Sequence, residues 1–592
     1  MLKTVKRVID FILAFIFNQY NRLHKSQLKW VLITVCLVFT VACGSSRHYT
    51  LDPIKTFDPD NRDIPMPSES EEQFSWETLY YTTFYQVEKP LDLGWTFRKV
   101  GGLIGLSGPE EAANVNVLDE VPNSSWYTHR HYYEPMDSAA LIQGPNKAGG
   151  VDTSRPVTVI RGKSEGITPG FTIQDARGDI YVVKIDEPQF PEMLSSSEVI
   201  STLIYYASGY FTPQNSIAFL DPDQLEVGSE ATITKGGVRE SMTPADLARL
   251  LAMARKEENG KIRVLASKFV EGRPLGPWSF LGTRDDDPND LVPHEDRREL
   301  RGLAVLASWL NDTDRRSGNT LASYVQENGT GYIRHYLLDM GSTLGVGGRS
   351  LRHIKQGNEY RIDPRYISAL YISLGLYVKP WSTERAKESP FYTAVGYFES
   401  EIFDPGRWVP SYPNPAFEKI TLRDGFWGAK MVMSFSDEDI RVIVESGQIT
   451  NPEAEEYLIQ TLKVRRDKIG RYWFSKVNPL DKFKAKINGD MLTLSFSDLG
   501  VEGNLFDDTQ TGYRWSAGTK KHILAERQVS NRPVLEIDLA DVKPGGLDEH
   551  EPIIIEYKIN TLRNGKPEPG KIITVYVALE NNKSKVVGLN RH

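Results

Sequence analysis

Cysteine is almost absent: only Cys36 and Cys43 occur in 592 residues. Everything after Cys43 is cysteine-free, which excludes a disulfide framework or a Cys-based zinc site there. Positive charge is not in excess. Lys and Arg number 70 against 78 Asp and Glu, for a formal net charge of −8. That balance argues against a nucleic-acid protein working through a broad basic face, because neutralising phosphates takes clustered cations. The ten histidines are scattered and form neither a Ser-His-Asp series nor a His-rich metal pattern. No apolar run reaches the roughly 20 residues of a comfortable transmembrane helix. At 40% hydrophobic and 25% charged residues, usage is that of a globular protein, not of a disordered chain, collagen or a coiled coil. The length predicts about four domains, with two or three large ones equally admissible.

The most apolar stretch is Trp30 to Ala42 (WVLITVCLVFTVA), preceded by Arg22, His24, Lys25 and Lys29. A basic flank, a short apolar core and a small-residue exit describe a secretory signal peptide. The exit, Thr40-Val41-Ala42-Cys43-Gly44-Ser45-Ser46, resembles a bacterial lipoprotein signal, with Thr40 where Leu is usual. By that resemblance Cys43 is the lipidated first residue of the mature chain, which implies a membrane-anchored protein of the bacterial cell envelope, periplasmic or at the surface. The alternative is an uncleaved anchor with an incidental cysteine. A second apolar stretch, Val8 to Phe17, is interrupted by Asp10 and reads as an extended n-region or a start codon placed too far upstream. Residues 1–43 are thus assigned to the signal and 44–73 to a polar, Pro- and Asp-rich tether.

Residues 74–150 are aromatic-rich without regular periodicity and read as an extension packed on a larger body. Strand signals follow at Val157–Arg161, Gly170–Gln174 and Ile180–Ile185, then a helix at Ser196–Ser208. Thr243 and Pro244 suit the N-cap and first position of a helix running to Glu258. Leu265–Val270 reads as a strand, Asp296–Leu310 as an amphipathic helix, and Tyr336–Leu338 as a short strand ending at Asp339. Helices resume after Asp363, most clearly at Asp437–Glu445 and Pro452–Phe474. Beyond Leu480, β-branched runs alternate with Gly, Pro, Asn and Asp turns and helical patterning stops, so residues 479–592 are expected to form an all-β sandwich module.

Residues 151–478 carry an ordered series suited to phosphoryl transfer, which needs a cation on the phosphates, oxygen ligands for Mg2+ and a carboxylate to orient the attacking hydroxyl. Gly162, Gly166 and Gly170 lie between the first two strands, where backbone could approach phosphate. Lys184 stands near the end of the third strand and Glu198 near the start of the next helix. Asp314 and Asn319 follow the amphipathic helix in Asp314-Arg315-Arg316-Ser317-Gly318-Asn319, and Asp339-Met340-Gly341 follows an apolar strand.

This order and spacing resembles the atypical protein-kinase-like fold, the group with HipA-type and CotH-type kinases and phosphoinositide lipid kinases, over about Val157 to Phe474. The resemblance implies an α+β, two-lobed body with ATP and Mg2+ as cofactors. Lys184 would contact the phosphates and Glu198 would hold it. Asp314 would be the catalytic base, while Asn319 and Asp339 would be the metal ligands. Gly166 and Gly170 would lie over the phosphates, and Phe269 to Gly272 around the interlobe hinge near the adenine. Asp312 is the confounder for Asp314, although only Asp314 has the kinase catalytic-loop spacing to Asn319. The first hairpin lacks G-x-G-x-x-G, Thr313 stands where protein kinases carry Arg, and Met340 replaces Phe. These departures weaken an ordinary protein kinase more than the fold. The implied activity is an exported, lipid-anchored phosphotransferase acting on a protein or envelope hydroxyl. An inactive pseudokinase serving as a binding or scaffolding lipoprotein and an AMPylating enzyme remain open, because an exported protein meets little ATP.

Outside that series, Trp126 is expected to pack in the core rather than gate the cleft. The acidic run Asp285 to Asp290 lacks EF-hand spacing and is expected to be an exposed polar loop. Gly345–Gly348 reads either as a mobile activation-type segment or as a simple turn.

Overall fold

Branched and aromatic residues between Gly-bearing turns build the first sheet. The computed structural model describes residues 59–70, 79–86, 88, 110–147, 149–163, 169–383, 392–520, 522–540, 552–580 and 583–591. Cys36, Cys43, the segments assigned to signal and most of the tether, and Gly166 lie outside the described residues. Strands β1 (Val157–Lys163), β2 (Gly170–Gln174) and β3 (Ile180–Ile185) form an antiparallel meander. With β4 (Asn215–Leu220), β5 (Leu225–Lys235), β6 (Val238–Ser241) and β7 (Ile262–Lys268) they complete a seven-stranded sheet in the order β4-β7-β3-β2-β1-β5-β6. Phe171, Ile173, Tyr181 and Val183 alternate onto its buried face.

Helix α1 (Ser138–Gln143) precedes this sheet, capped by the Asp137 carboxylate, which accepts from the Ala140 N–H. Helix α2 (Met193–Ala207) follows β3 and is buried along nearly its whole length. Its Ncap residue, Glu192, makes no side-chain cap. Asp186 supplies the missing acceptor, taking the Leu194 and Ser195 N–H groups at 2.9 Å each and the Ser195 hydroxyl at 2.6 Å. A helix end buried without such a partner would leave orphan donors. Helix α3 (Pro244–Leu251) has the expected start, a capping box between Thr243 and Asp246, but stops seven residues before Glu258. There the chain turns back through Gly260, at φ +79°, to bridge Lys256 with Ile262 and enter β7.

Strand β8 (Arg273–Gly276), helix α4 (Arg298–Leu310) and strands β9 (Thr320–Glu327) and β10 (Thr330–Leu337) come next, with the three strands paired in the order β10-β9-β8. Helices α5 (Pro364–Ile372), α6 (Leu422–Met433), α7 (Asp437–Glu445) and α8 (Pro452–Phe474) are the longer helices that follow, beside one-turn helices at Pro380–Thr383 and Pro415–Glu418. A glycine sets the α4–α6 crossing: a Cβ on Gly428 would lie 2.6 Å from the Gly302 carbonyl oxygen, so the two backbones approach directly. The C-terminal region is sheet-rich. Strands β11 (Leu480–Asn488), β12 (Met491–Asp498), β13 (Thr511–Gly518), β14 (Ile523–Ser530), β15 (Val534–Asp538), β16 (Ile553–Arg563), β17 (Lys566–Glu580) and β18 (Lys583–Arg591) form sheets ordered β11-β12-β15 and β14-β13-β16-β17-β18. Leu492, Leu494 and Ile537 of the first share one core with Trp515, Tyr557 and Val575 of the second.

The segment before β1 is stitched into this framework. Trp126 is buried, stacked on His335 with centroids 3.4 Å apart and covered by the Arg297 guanidinium. Asp119 accepts from three arginines of distant sequence: Arg298 of α4 at 2.5 Å, Arg423 of α6 at 2.6 Å and Arg591 of β18 at 3.1 Å. The neighbouring Glu120 pairs with Lys430 of α6, which also reaches Asp481 of β11 at 2.8 Å.

The acidic run is only in part the exposed loop expected from its composition: Asp285, Asp286 and Pro288 are exposed, and the other three residues are not. Asp287, Asn289 and Asp290 are buried. Asp290 accepts from the Arg284 N–H at 2.7 Å and pairs with His294 at 2.7 Å and Arg297 at 3.0 Å, while Asp286 accepts from the Ser68 N–H and hydroxyl. Local cations and turn donors convert a polar composition into a structural knot.

Two stability measurements follow from these charges. Burial alone would raise the Asp119 carboxyl, but Arg298, Arg423 and Arg591 overcome it and hold the group well below the carboxylate range. A depressed folded-state pKa contributes stability that is present above the unfolded value and lost as pH falls. Asp119→Asn keeps the left-handed backbone, φ +62°, that Asn tolerates. It should cost about 3–5 kcal/mol at neutral pH, because it strands buried guanidiniums, with the cost shrinking below pH ~4; an unchanged urea midpoint would refute the role. Asp287 has the opposite sign: burial, with repulsion from Asp290 and Asp60, pushes its carboxyl up to about 6. Its ionisation lowers stability as pH rises through that value, so Asp287→Asn should stabilise by on the order of 1 kcal/mol at pH ~8 and not at pH ~4. Equal effects at both values would contradict this.

Candidate active site

Lys184 reaches the site because β3 pairs with both β2 and β7, holding it opposite Gly170 on one side and Leu265 on the other. Its ammonium donates to both Glu198 oxygens, at 2.9 and 2.8 Å, and to Asp339 Oδ1 at 2.9 Å. All three N–H donors of the lysine are used. Burial pulls the Lys184 ammonium down, but Asp339 and Glu198 outweigh it and hold its pKa above the ordinary value, so the group is a cation at every physiological pH. The Glu198 side chain is 2% exposed, whereas that of Asp339 is 49% exposed. One partner of the lysine is therefore fixed in the core of α2 and the other faces solvent.

Asp339 follows β10 in the left-handed region, φ +52°, a conformation Asp adopts more readily than most residues. Gly341, two residues on, allows the close approach to α2: a Cβ there would stand 2.7 Å from Glu198 Oε2 and from Leu194 Cδ1. The loop after α4 supplies the remaining groups. Asn319 donates its amide nitrogen to the Asp314 carbonyl at 2.7 Å and to Asp314 Oδ2 at 3.2 Å, which leaves the amide oxygen for another partner. Arg316 holds Asp314 Oδ1 at 3.1 Å.

Two buried residues tie these loops together, and the sequence reading did not single out either as structural. Arg315 donates to the carbonyls of Asn319, Leu338 and Asp339, at 3.2, 2.9 and 3.2 Å, and pairs with Asp312 at 2.9 Å. Asp312 also accepts from the Tyr205 hydroxyl at 2.8 Å. Burial raises its carboxyl against the lowering effect of Arg315. Asp312 is thus fully enclosed, whereas Asp314 lines a cleft. The Asp-x-x-Arg spacing in Asp312–Arg315 was the available signal.

The cleft has a volume of about 550 Å³ and is lined by Lys184, Asp314, Asn319 and Asp339, with Arg316, Arg352, Lys355 and Arg361 around them. Four of the sequence-predicted residues therefore share one cavity, and Glu198 joins them through Lys184. Gly170 and Phe269 do not line it. Gly170 is needed where β2 crosses β3, since a Cβ would collide with the Val183 carbonyl. Phe269 lies just past β7, 47% exposed, its N–H donating to the Ile180 carbonyl. Among the described residues no cluster of three or more His, Cys, Asp or Glu has the geometry of a metal centre. The carboxylate of Asp339 and the amide oxygen of Asn319 are a mixed oxygen pair of the kind a hard cation shares with substrate and water.

No family model and no curated protein matches this chain. Among solved structures, similarity is found to the Helicobacter pylori proinflammatory kinase CtkA, at 11% identity, covering 54% of this chain and 97% of that one with a TM-score of 0.26. It is also found to the golgi casein kinase, at 9% identity, covering 70% of this chain and 95% of that one with a TM-score of 0.27. Both neighbours are kinases; the chemistry of the cleft is argued from its own residues.

The tight seat of Gly341 gives a test of this geometry. Gly341→Ala should push Glu198 or Leu194 aside and cost about 1–3 kcal/mol, read as a lowered urea midpoint. A variant as stable as the parent would mean that the loop does not press on α2.

Proposed function

We propose that this chain is a phosphotransferase with a two-lobed, kinase-like body and a C-terminal β-sandwich, taking ATP and Mg2+ in the cleft and transferring the terminal phosphoryl to a hydroxyl of a protein or envelope molecule. The observation that carries the reading is the bidentate Lys184–Glu198 pair meeting Asp339 in a cleft that also holds Asp314 and Asn319. The second carboxylate on the same ammonium is half-exposed and faces the cleft, where a ligand can reach it. Lys184 bound to one buried and one solvent-facing acid can exchange the latter for phosphate oxygens while Glu198 keeps it oriented.

Asp339 and Asn319 would hold the metal, which supplies charge neutralisation on the phosphates. Asp314 accepts the proton of the acceptor hydroxyl as its oxygen bonds to the γ-phosphorus. The β–γ bridging P–O bond breaks and ADP leaves with the electron pair. Lys184 stabilises the charge that develops on the phosphoryl oxygens. Arg315 acts through the others: its three carbonyl contacts keep the Asn319 and Asp339 loops in register. Lipidation at Cys43 would place this chemistry in the bacterial cell envelope, where a nucleotide source must be supplied.

Titration of ATP with Mg2+ into the full chain and into Asp339→Ala, followed by label transfer, tests the proposal. We expect binding to the parent, loss of Mg2+-dependent binding in Asp339→Ala, and γ-phosphate transfer to a substrate or to the chain itself that falls at least about 100-fold in Asp314→Asn with binding retained. No nucleotide binding would end the enzymatic reading, binding without transfer would identify a pseudokinase, and transfer of α-label would identify AMPylation.

A further inference from the structure

Among the described residues, the segment that follows the cleft wall carries the most exposed large apolar side chains. No residue of α5 is buried. Ile372, Leu374 and Leu376 are 86, 91 and 83% exposed, and Tyr371, Val378 and Ile367 continue the surface at 79, 60 and 43%. Isolated exposed leucines are ordinary, but a contiguous set at a protruding turn is a contact surface. Among the described residues none of these six joins a hydrophobic cluster.

Charge selects the occupant. Between Arg349 and Thr383 the side chains of Arg349, Lys355, Arg361, Arg365 and Lys379 all reach solvent. The two acids of that stretch, Glu359 and Asp363, are buried as partners of these cations, their side chains 2 and 3% exposed. The surface is locally cationic on a chain whose net charge is −8. Aromatic rings mark the boundary between tip and base. Tyr366 and Tyr377 stand 6.2 Å apart, the Lys379 ammonium lies over Tyr366 and Trp381 at 5.4 and 5.6 Å, and Trp381 donates its indole N–H to Glu359. An apolar tip, a belt of Tyr and Trp, and cations at belt height match the layers of a bilayer surface: acyl chains, interface and anionic headgroups. A second copy of the chain would bring the same cations against themselves, which disfavours a self-complementary contact.

We propose that Ile367–Val378 is a membrane-insertion tip that docks this face on an anionic lipid surface. Because Arg352–Arg361 line the cleft and lead directly into α5, docking brings the cleft mouth to the headgroup layer. The tip is independent of the phosphotransfer reading and of lipidation at Cys43.

A polarity-sensitive fluorophore on Leu374→Cys tests it, in the full chain with Cys36→Ser and Cys43→Ser so that only one thiol is labelled and no lipidation occurs. A matching label on Ile523→Cys, 77% exposed on β14, serves as the control position. With phosphatidylcholine vesicles containing phosphatidylglycerol, emission at position 374 should rise several-fold, more than with phosphatidylcholine alone, and the same vesicles carrying a spin-labelled lipid should quench it while position 523 stays unquenched. Absence of quenching at 374 in protein that sediments with the vesicles would overturn the tip, as would failure to sediment or equal quenching at both positions. An emission rise without vesicles that grows with protein concentration would assign the surface to a second copy instead and overturn the lipid reading. Both positions are exposed, so neither substitution threatens folding.

Discussion

The carboxylate of Asp119 is where the chain's most distant parts meet. It accepts from Arg298 at the start of α4, Arg423 in the first turn of α6 and Arg591 at the end of β18. Arg298 and Arg591 are enclosed and Arg423 is partly so, and a buried cation without its partner costs several kcal/mol in desolvation. Asp424 adds a second acceptor for Arg298, at 3.0 Å, and for Arg301. The orientation of α4 is thereby set at its N-terminal end by charge and along its length by the close crossing at Gly302 and Gly428. What happens at its C-terminal end follows, because Asn311 closes the helix in the left-handed conformation, φ +51°, and the chain runs straight into Asp312–Asn319. The site inherits its position from a cluster that is remote from it in sequence.

Within the site the same logic operates on a smaller scale. Arg315 gathers three carbonyls from two loops, and Asn414 donates to the Arg315 carbonyl at 3.0 Å. The polar groups facing the cleft are thus held by polar groups facing away from it. Asp312 and Asp314, two residues apart, illustrate the division: one is enclosed with Tyr205 and Arg315, the other is open to the cavity with Arg316 and Asn319 beside it. Of the two, only Asp314 keeps lone pairs facing the cavity, as the proton acceptor proposed above requires.

Much of this was legible from local pattern. The strands at Gly170–Gln174 and Ile180–Ile185 and the helices at Asp437–Glu445 and Pro452–Phe474 follow from alternation, caps and 3.6-residue periodicity, all of which are properties of a few neighbouring residues. The juxtaposition of Lys184 with Asp339, 155 positions apart, was reachable only through the order of the motif. What escaped was governed by long-range partners. Strands β4 to β6 show only faint alternation, and they become strands by pairing, β4 with β7, β5 with β1 and β6 with β5. The buried acidic knot at Asp287–Asp290 escaped for another reason: its cations, His294 and Arg297, are close in sequence, but only the fold turns them onto Asp290. Composition recorded the charges and not their partners.

The same asymmetry explains why the exposed tip matters. In most of this chain, unusual residues are reconciled with their surroundings: buried acids meet arginines, and close glycines meet backbone. Ile372, Leu374 and Leu376 are reconciled with nothing in the described structure, although the acids beneath them are neutralised and their aromatic base is ordered. A base that is electrostatically settled and a tip that is not is what a surface built for an outside partner requires, since the cost of exposure is recovered only on contact. One cation beside it is not spent on a carboxylate: Arg361 reaches only the Tyr412 hydroxyl among side chains and no acid. Arg349, Lys355, Arg365 and Lys379 each hold a carboxylate yet still reach solvent, so the stretch keeps an excess of positive charge for an anionic surface.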